Sequence, residues 1–150
     1  MGDVYFYHLT ERPLEATLPV LLDKATRAGW RVAVRGKDSK RLEELDASLW
    51  NGDGFLPHGL AGGKFDEQQP VLLTSGASAN SPHCLMTVDG AEVTFEEVSK
   101  LERVCILFNG ADAGAVEAAR AQWRELTDAG AKAKYWAEDG GRWSMKAEST

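Results

Sequence analysis

The segment RVCILFNG, residues 103–110, constrains the fold more than any other stretch of the chain. Its apolar residues run without a break instead of alternating. A strand of that kind is buried on both faces, which is the signature of a mainly parallel sheet covered by helices on either side. The rest of the chain must then supply those helices and the neighbouring strands.

It does so in order. Residues 4–9, VYFYHL, read as a short aromatic strand. Pro13 opens a helix, as proline does at a first helical position. Leu14, Leu18, Leu21, Ala25 and Ala28 recur at steps of four and three, forming one apolar stripe that stops near Gly29. WRVAVR at 30–35 predicts a second strand. Asp38 or Ser39 caps a second helix whose inward face is Leu42, Leu45 and Leu49. VLLTSG at 71–76 and CLMTVDG at 84–90 predict strands. Thr94 and Glu97 have capping-box spacing ahead of a short helix. Asp112 caps the last long helix, running to about Ala129, and the tail forms two strand-like pieces around a DGG turn. The order β-α-β-α-β-β-α-β-α-β predicts an α/β fold: a three-layer, Rossmann-like, largely parallel sheet with helices on both faces, one domain over residues 1–150.

Charge narrows the function. The net charge of −6 argues against broad contact with nucleic-acid phosphates but leaves room for a local basic pocket. The start of the chain, MGDVYFYHLTERP, lacks the basic and apolar regions of a secretory leader. No apolar run approaches the roughly 20 residues that span a bilayer. Cys84 and Cys105 sit in apolar runs without CxxC spacing and read as buried, reduced thiols. The expectation is a cytoplasmic protein with no membrane contact.

The glycine-rich stretch LWNGDGFLPHGLAGGK, residues 49–64, invites a phosphate-loop reading. It fails three requirements of GxxxxGK[ST]: Phe65 follows Lys64, His58 stands five before Gly63, and a helix precedes the loop instead of a strand. No strand–GxGxxG–helix unit occurs elsewhere, so no nucleotide cofactor is expected. His58, His83 and Cys84 lack the spacing of a metal site, and no metal is expected. There is no GxSxG elbow and no cysteine signature, so no catalytic residue is assigned.

The last helix is more informative. Val116, Ala119, Trp123 and Leu126 form its core stripe. Arg120 and Arg124 are i, i+4 neighbours, a like-charge pair that costs a few tenths of a kcal/mol (about 0.2–0.5) unless an anion joins it. Either Glu117 and Asp128 neutralise them on a solvated face, or two guanidiniums await a carboxylate beside an indole. Trp50, about 100° around its helix from Leu49, either packs beneath the glycine loop or completes such a notch.

AGWRVAVRGKDSKRLEELDASLW at 28–50, followed by FLPHGLAGG, resembles the chi subunit family of bacterial DNA polymerase III, as do LFNG and ARAQWRELTDAG later in the chain. The resemblance runs from about residue 3 to 146, and its most specific part is LW…F-x-PH-x-LAG. It implies a non-catalytic accessory protein of the replisome on a Rossmann-like sheet without a nucleotide loop. It implies binding to the acidic C-terminal tail of single-stranded DNA-binding protein, which ends in phenylalanine with a free carboxylate. It also implies a psi subunit, where the lineage has one, linking the chain to the clamp loader. DNA would then be met mainly indirectly. The family's tail pocket maps onto Trp50, Arg120, Trp123 and Arg124. Trp123 replaces the tyrosine of a typical member, and Val116 stands where the family can carry a lysine. The psi surface maps onto Phe55, Leu56 and Pro57. The glycine loop is then a connector that presents Phe55 to a protein. Two other readings compete: a small Rossmann-like enzyme, and a degenerate helicase-like domain binding single strands directly. The adaptor reading requires the two guanidiniums and the Trp50 indole on one side of the molecule.

Overall fold

The computed structural model describes residues 2–51 and 57–149. Eight strands form one sheet: β1 (Asp3–Leu9), β2 (Val32–Arg35), β3 (Gly59–Leu60), β4 (Val71–Thr74), β5 (Cys84–Thr87), β6 (Arg103–Asn109), β7 (Lys132–Asp139) and β8 (Arg142–Glu148). Four helices intervene: α1 (Leu14–Arg27), α2 (Ser39–Trp50), α3 (Phe95–Lys100) and α4 (Ala113–Asp128). The strand order is β3-β4-β2-β5-β6-β1-β7-β8. Every pairing is parallel except that of β7 with β8.

The continuous apolar strand β6 lies between β5 and β1, and residues 104–108 are buried, as the unbroken pattern requires. Its alternate side chains feed two cores. Cys105 and Leu107 join Val32, Val34, Cys84 and Met86 with the apolar stripes of α1 and α2. Val104, Ile106 and Phe108 join Val4, Phe6, Ala33 and Leu85 with Val98 of α3 and Ala119 and Leu126 of α4. Helices therefore sit on both faces: α1 and α2 on one, α3 and α4 on the other. Crossover direction accounts for this. The chain moves one way along the sheet from β1 to β2 to β3, and the opposite way from β5 to β6 to β7. Right-handed crossovers in opposite directions place their helices on opposite faces.

Local chemistry sets the helix ends. The Asp38 side chain accepts from the Lys40 amide, and Asp112 accepts from Gly114 and Ala115. The Thr94–Glu97 capping box is complete in both directions. Pro13 is the N-cap of α1, not its first helical residue: its backbone is extended and Leu14 begins the helix. Trp30 and Arg31 precede β2 instead of lying in it. At the DGG turn, Gly140 and Gly141 take positive φ, which closes the β7–β8 hairpin.

The glycine-rich connector contributes an element that the sequence pattern does not announce. Gly59 and Leu60 form β3, an edge strand on β4. His58 just before it is buried; its Nε2 lies 3.2 Å from the Asp46 carboxylate of α2. The amides of Gly62 and Gly63 donate to the Asp66 carboxylate at 2.9 and 3.0 Å. The amides that would face a phosphate in a nucleotide loop are thus satisfied by the chain's own acid. Phe55 and Leu56 fall outside the described residues; Pro57 is exposed.

Candidate functional site

The register of β1 against β7 builds the floor of a site on the α4 side of the sheet. Val4, Phe6 and His8 share a face, and Phe6 pairs with Tyr135 across the strands. His8 Nδ1 lies 2.5 Å from the Tyr135 hydroxyl. The His8 ring also packs on Phe108, with centroids 5.1 Å apart. Gly110, at the end of LFNG, makes room for that ring: a Cβ there would overlap the imidazole and press on the Leu9 carbonyl oxygen.

Helix α4 lies along this floor. Ala119 and Leu126 are buried, whereas Val116 and Trp123 are half-buried at its edge. The Trp123 indole packs on Phe6 at 5.3 Å and meets Tyr135 edge-on at 6.2 Å. Arg120 is close enough to act on both polar rings. Burial lowers the His8 pKa, and the positive charge of Arg120 lowers it further. Burial raises the Tyr135 pKa, and Arg120 opposes that rise. His8 is therefore held neutral beside a cation.

The arginine pair is only partly compensated. Arg120 approaches Glu117 at 3.6 Å with both side chains well exposed, a contact of little strength. Among the described residues Arg124 makes no ion pair, with Asp128 or with any other acid. The site thus combines two neighbouring guanidiniums, an indole and a His–Tyr pair. Such a set can orient an anion next to an aromatic or apolar group. Sequence reasoning missed His8 and Tyr135. The alternation in VYFYHL, which puts Phe6 and His8 on one face, was the available signal.

Trp50 does not belong to this site, and the notch of four residues expected from the sequence does not form. Trp50 ends α2, whose Leu49 joins the opposite core. Its indole is 52% exposed and stacks on His58 with centroids 4.1 Å apart. The sheet lies between it and α4. Spacing along the chain could not reveal this, because the separation follows from strand order. Trp50, backed by the buried His58, and Pro57 are instead exposed near the β3 edge.

Several other polar groups are already engaged. Two cavities, of about 410 and 390 Å³, lie at the carboxyl ends of β1 and β6, where a sheet of this kind usually admits ligands. There Arg41 is held by Glu15 at 2.6 Å and Asp89 at 3.0 Å. The α4 amino end is occupied by the Asp112 carboxylate. Arg35 makes a two-pronged pair with Glu97, at 2.9 and 2.6 Å. His83 Nδ1 accepts from the Arg31 amide. Among the described residues no three or more His, Cys, Asp or Glu gather as metal ligands, and no helix is long and apolar enough to cross a membrane.

A comparison with curated proteins finds no match. The family model for the DNA polymerase III chi subunit, HolC, matches residues 1–134 of the 150-residue chain. Residues 135–150, which hold most of β7 and all of β8, lie outside that match, and the chain belongs to the DNA polymerase III chi subunit family.

Proposed function

We propose that this chi-family chain is a non-catalytic adaptor that grips the acidic C-terminal tail of single-stranded DNA-binding protein on α4 and ties it to the clamp loader. The observation that carries this reading is the Arg120–Arg124 pair beside Trp123, with Arg124 unmatched by any acid among the described residues. The terminal carboxylate of the tail bridges the two guanidiniums. Its phenylalanine ring lies against the Trp123 indole, and the preceding acidic residues are drawn by the same charges. Trp50 takes no part in that grip. With Pro57, and with Phe55 and Leu56 just before it in the sequence, it serves a second protein surface, for which a psi subunit is the partner implied by the family. DNA is met through the coated strand, in keeping with a net charge of −6.

Titration with a labelled peptide ending in Asp-Asp-Phe tests the assignment. Arg120→Ala and Arg124→Ala should each weaken binding about tenfold, the scale of one charge-assisted hydrogen bond. Amidation of the peptide terminus should do the same, and added salt should weaken the parent complex. Equal affinity for parent and both variants removes the carboxylate clamp.

A further inference from the structure

On the face away from α4, a cavity of about 330 Å³ opens between α1 and strands β1, β5 and β6. Its floor is sulfur and hydrocarbon. Cys84 and Met86 project from β5, and Cys105 from β6 in register with Met86. Leu21 and Ala25 of α1 form a wall. Cys105 is a neutral thiol: its contact with Cys84 and its burial push its pKa up. The floor therefore carries no charge and few strong hydrogen-bonding groups.

The rim is cationic. Arg103 and Lys24 both line the opening, and no aspartate or glutamate does. The Arg103 guanidinium lies 4.2 Å from the Tyr5 ring centre and 5.1 Å from that of Trp30. Among the described residues neither cation makes an ion pair, and the Arg103 Nε is buried with no hydrogen-bond partner. In a chain with 23 acidic residues against 17 lysines and arginines, this lining holds two cations and no carboxylate. Lys24 lies in the last turn of α1 and partly offsets the negative end of that helix, so Arg103 is the main free charge.

We infer that this cavity is a binding site for an apolar or aromatic group bearing a carboxylate, its ring or hydrocarbon on the Cys84–Met86–Cys105 floor and its carboxylate on Arg103. A neutral hydrocarbon would leave Arg103 without a counter-ion. A nucleotide would set most polar edges of its base against sulfur and hydrocarbon that pair them poorly, with the Tyr7 phenol the one hydroxyl in the lining. The carboxylate comes either from the last residue of a polypeptide or from a free small acid; the shared chemistry is the same. The site is separate from α4 and stands whether or not the tail binds there.

The test uses the full isotope-labelled chain in NMR titrations. N-acetyl-phenylalanine and 3-phenylpropionate stand for the two sources, with N-acetyl-phenylalaninamide as the uncharged control and a ten-residue peptide ending in phenylalanine as the polypeptide arm. Saturable shifts are expected at the Trp30 indole and the amides of Leu21 and Ala25. The amide should bind about tenfold more weakly than the acid, as should the acid to Arg103→Gln, and the surface variant Lys24→Gln should weaken the acid by a smaller factor, about two- to threefold. Arg120→Ala should leave this binding unchanged. Tighter binding of the peptide than of phenylpropionate identifies a chain terminus as the source, and the reverse identifies a free acid. Shifts confined to α4, equal affinity for acid and amide, or no saturation with any probe overturns the proposal.

Discussion

Tyr135 Oη and His8 Nδ1 lie 2.5 Å apart across the paired strands β7 and β1, within the field of Arg120. A proton added to His8 would place a second cation in a partly buried site already facing one. The imidazole pKa is therefore lowered from 6.5, first by burial and then by Arg120. The native state binds fewer protons than the unfolded chain between that lowered value and 6.5. The stability His8 contributes is complete above 6.5 and is lost as the pH falls through the folded value. Arg120→Ala should move the His8 pKa upward but not restore it fully, because burial is the larger cause. A bound tail, by neutralising Arg120, should move it the same way. Imidazole proton titrations on parent, variant and peptide-saturated protein measure both shifts; a pKa unchanged in all three would disconnect Arg120 from His8.

The separation of Trp50 from α4 divides two variants that a single notch would treat alike. Trp50→Ala should leave tail-peptide affinity within about twofold of the parent, since distant sites act independently. Trp123→Leu should lower it several-fold while circular dichroism shows a retained fold. Trp123 packs on Phe6 and Tyr135, so thermal stability should fall too. If Trp50→Ala weakens the tail complex as strongly as Arg120→Ala, the tail must reach across the molecule, and the α4 assignment is too narrow.

Gly110 is needed for space more than for backbone freedom. A Cβ there would overlap the His8 ring and lie 2.9 Å from the Leu9 carbonyl oxygen. The ring is held by Tyr135 and Phe108, so it has little room to yield. Gly110→Ala should cost about 1–3 kcal/mol, the usual penalty for overpacking. Urea melts should show a lower midpoint at an unchanged slope. The His8 titration should shift as well, because the displaced ring loses its place beside Arg120. A midpoint equal to the parent's would mean that the β1–β6 ends open easily.

Much of this architecture was legible in residue order. The unbroken run in RVCILFNG announced a doubly buried strand, and Val104–Phe108 positions are buried between β5 and β1. The Leu42, Leu45 and Leu49 stripe announced an inward helix face, and Thr94 with Glu97 announced a helix start. These features are local: each depends on periods of two to four residues. Gly59–Leu60 was not legible, because a two-residue edge strand carries no period. The relation of Trp50 to Arg120 was not legible either. Both lie on helices with correct stripes, but which face each helix covers depends on where the next strand inserts. That insertion is decided by the whole sheet. His8 was hidden for a third reason: a lone histidine in a strand acquires its role only from Tyr135, 127 residues away.

Glu97 joins a local device to a distant one, and acid should separate them. Its carboxylate accepts from the Thr94 amide in the capping box and from Arg35 of β2 through two bonds. The Arg35 side chain is 15% exposed and that of Glu97 32%, so the pair is partly screened from water. The Arg35 bonds hold the Glu97 pKa below 4.5 against the opposing effect of burial. A depressed carboxyl pKa contributes stability that is complete above the unfolded value and is lost as pH falls through the folded one. Glu97→Gln should cost about 2 kcal/mol at neutral pH, since it weakens charge-assisted bonds and leaves Arg35 without its counter-charge. Thr94→Ala removes only one side of the cap and should cost about 1 kcal/mol. Chemical denaturation at pH 7 and pH 3 provides the comparison. The gap between parent and Glu97→Gln should narrow at pH 3, as the parent's own carboxyl takes up a proton, whereas the Thr94→Ala gap should change less. A gap for Glu97→Gln that is the same at both pH values would show that packing, not the ion pair, anchors α3 to β2.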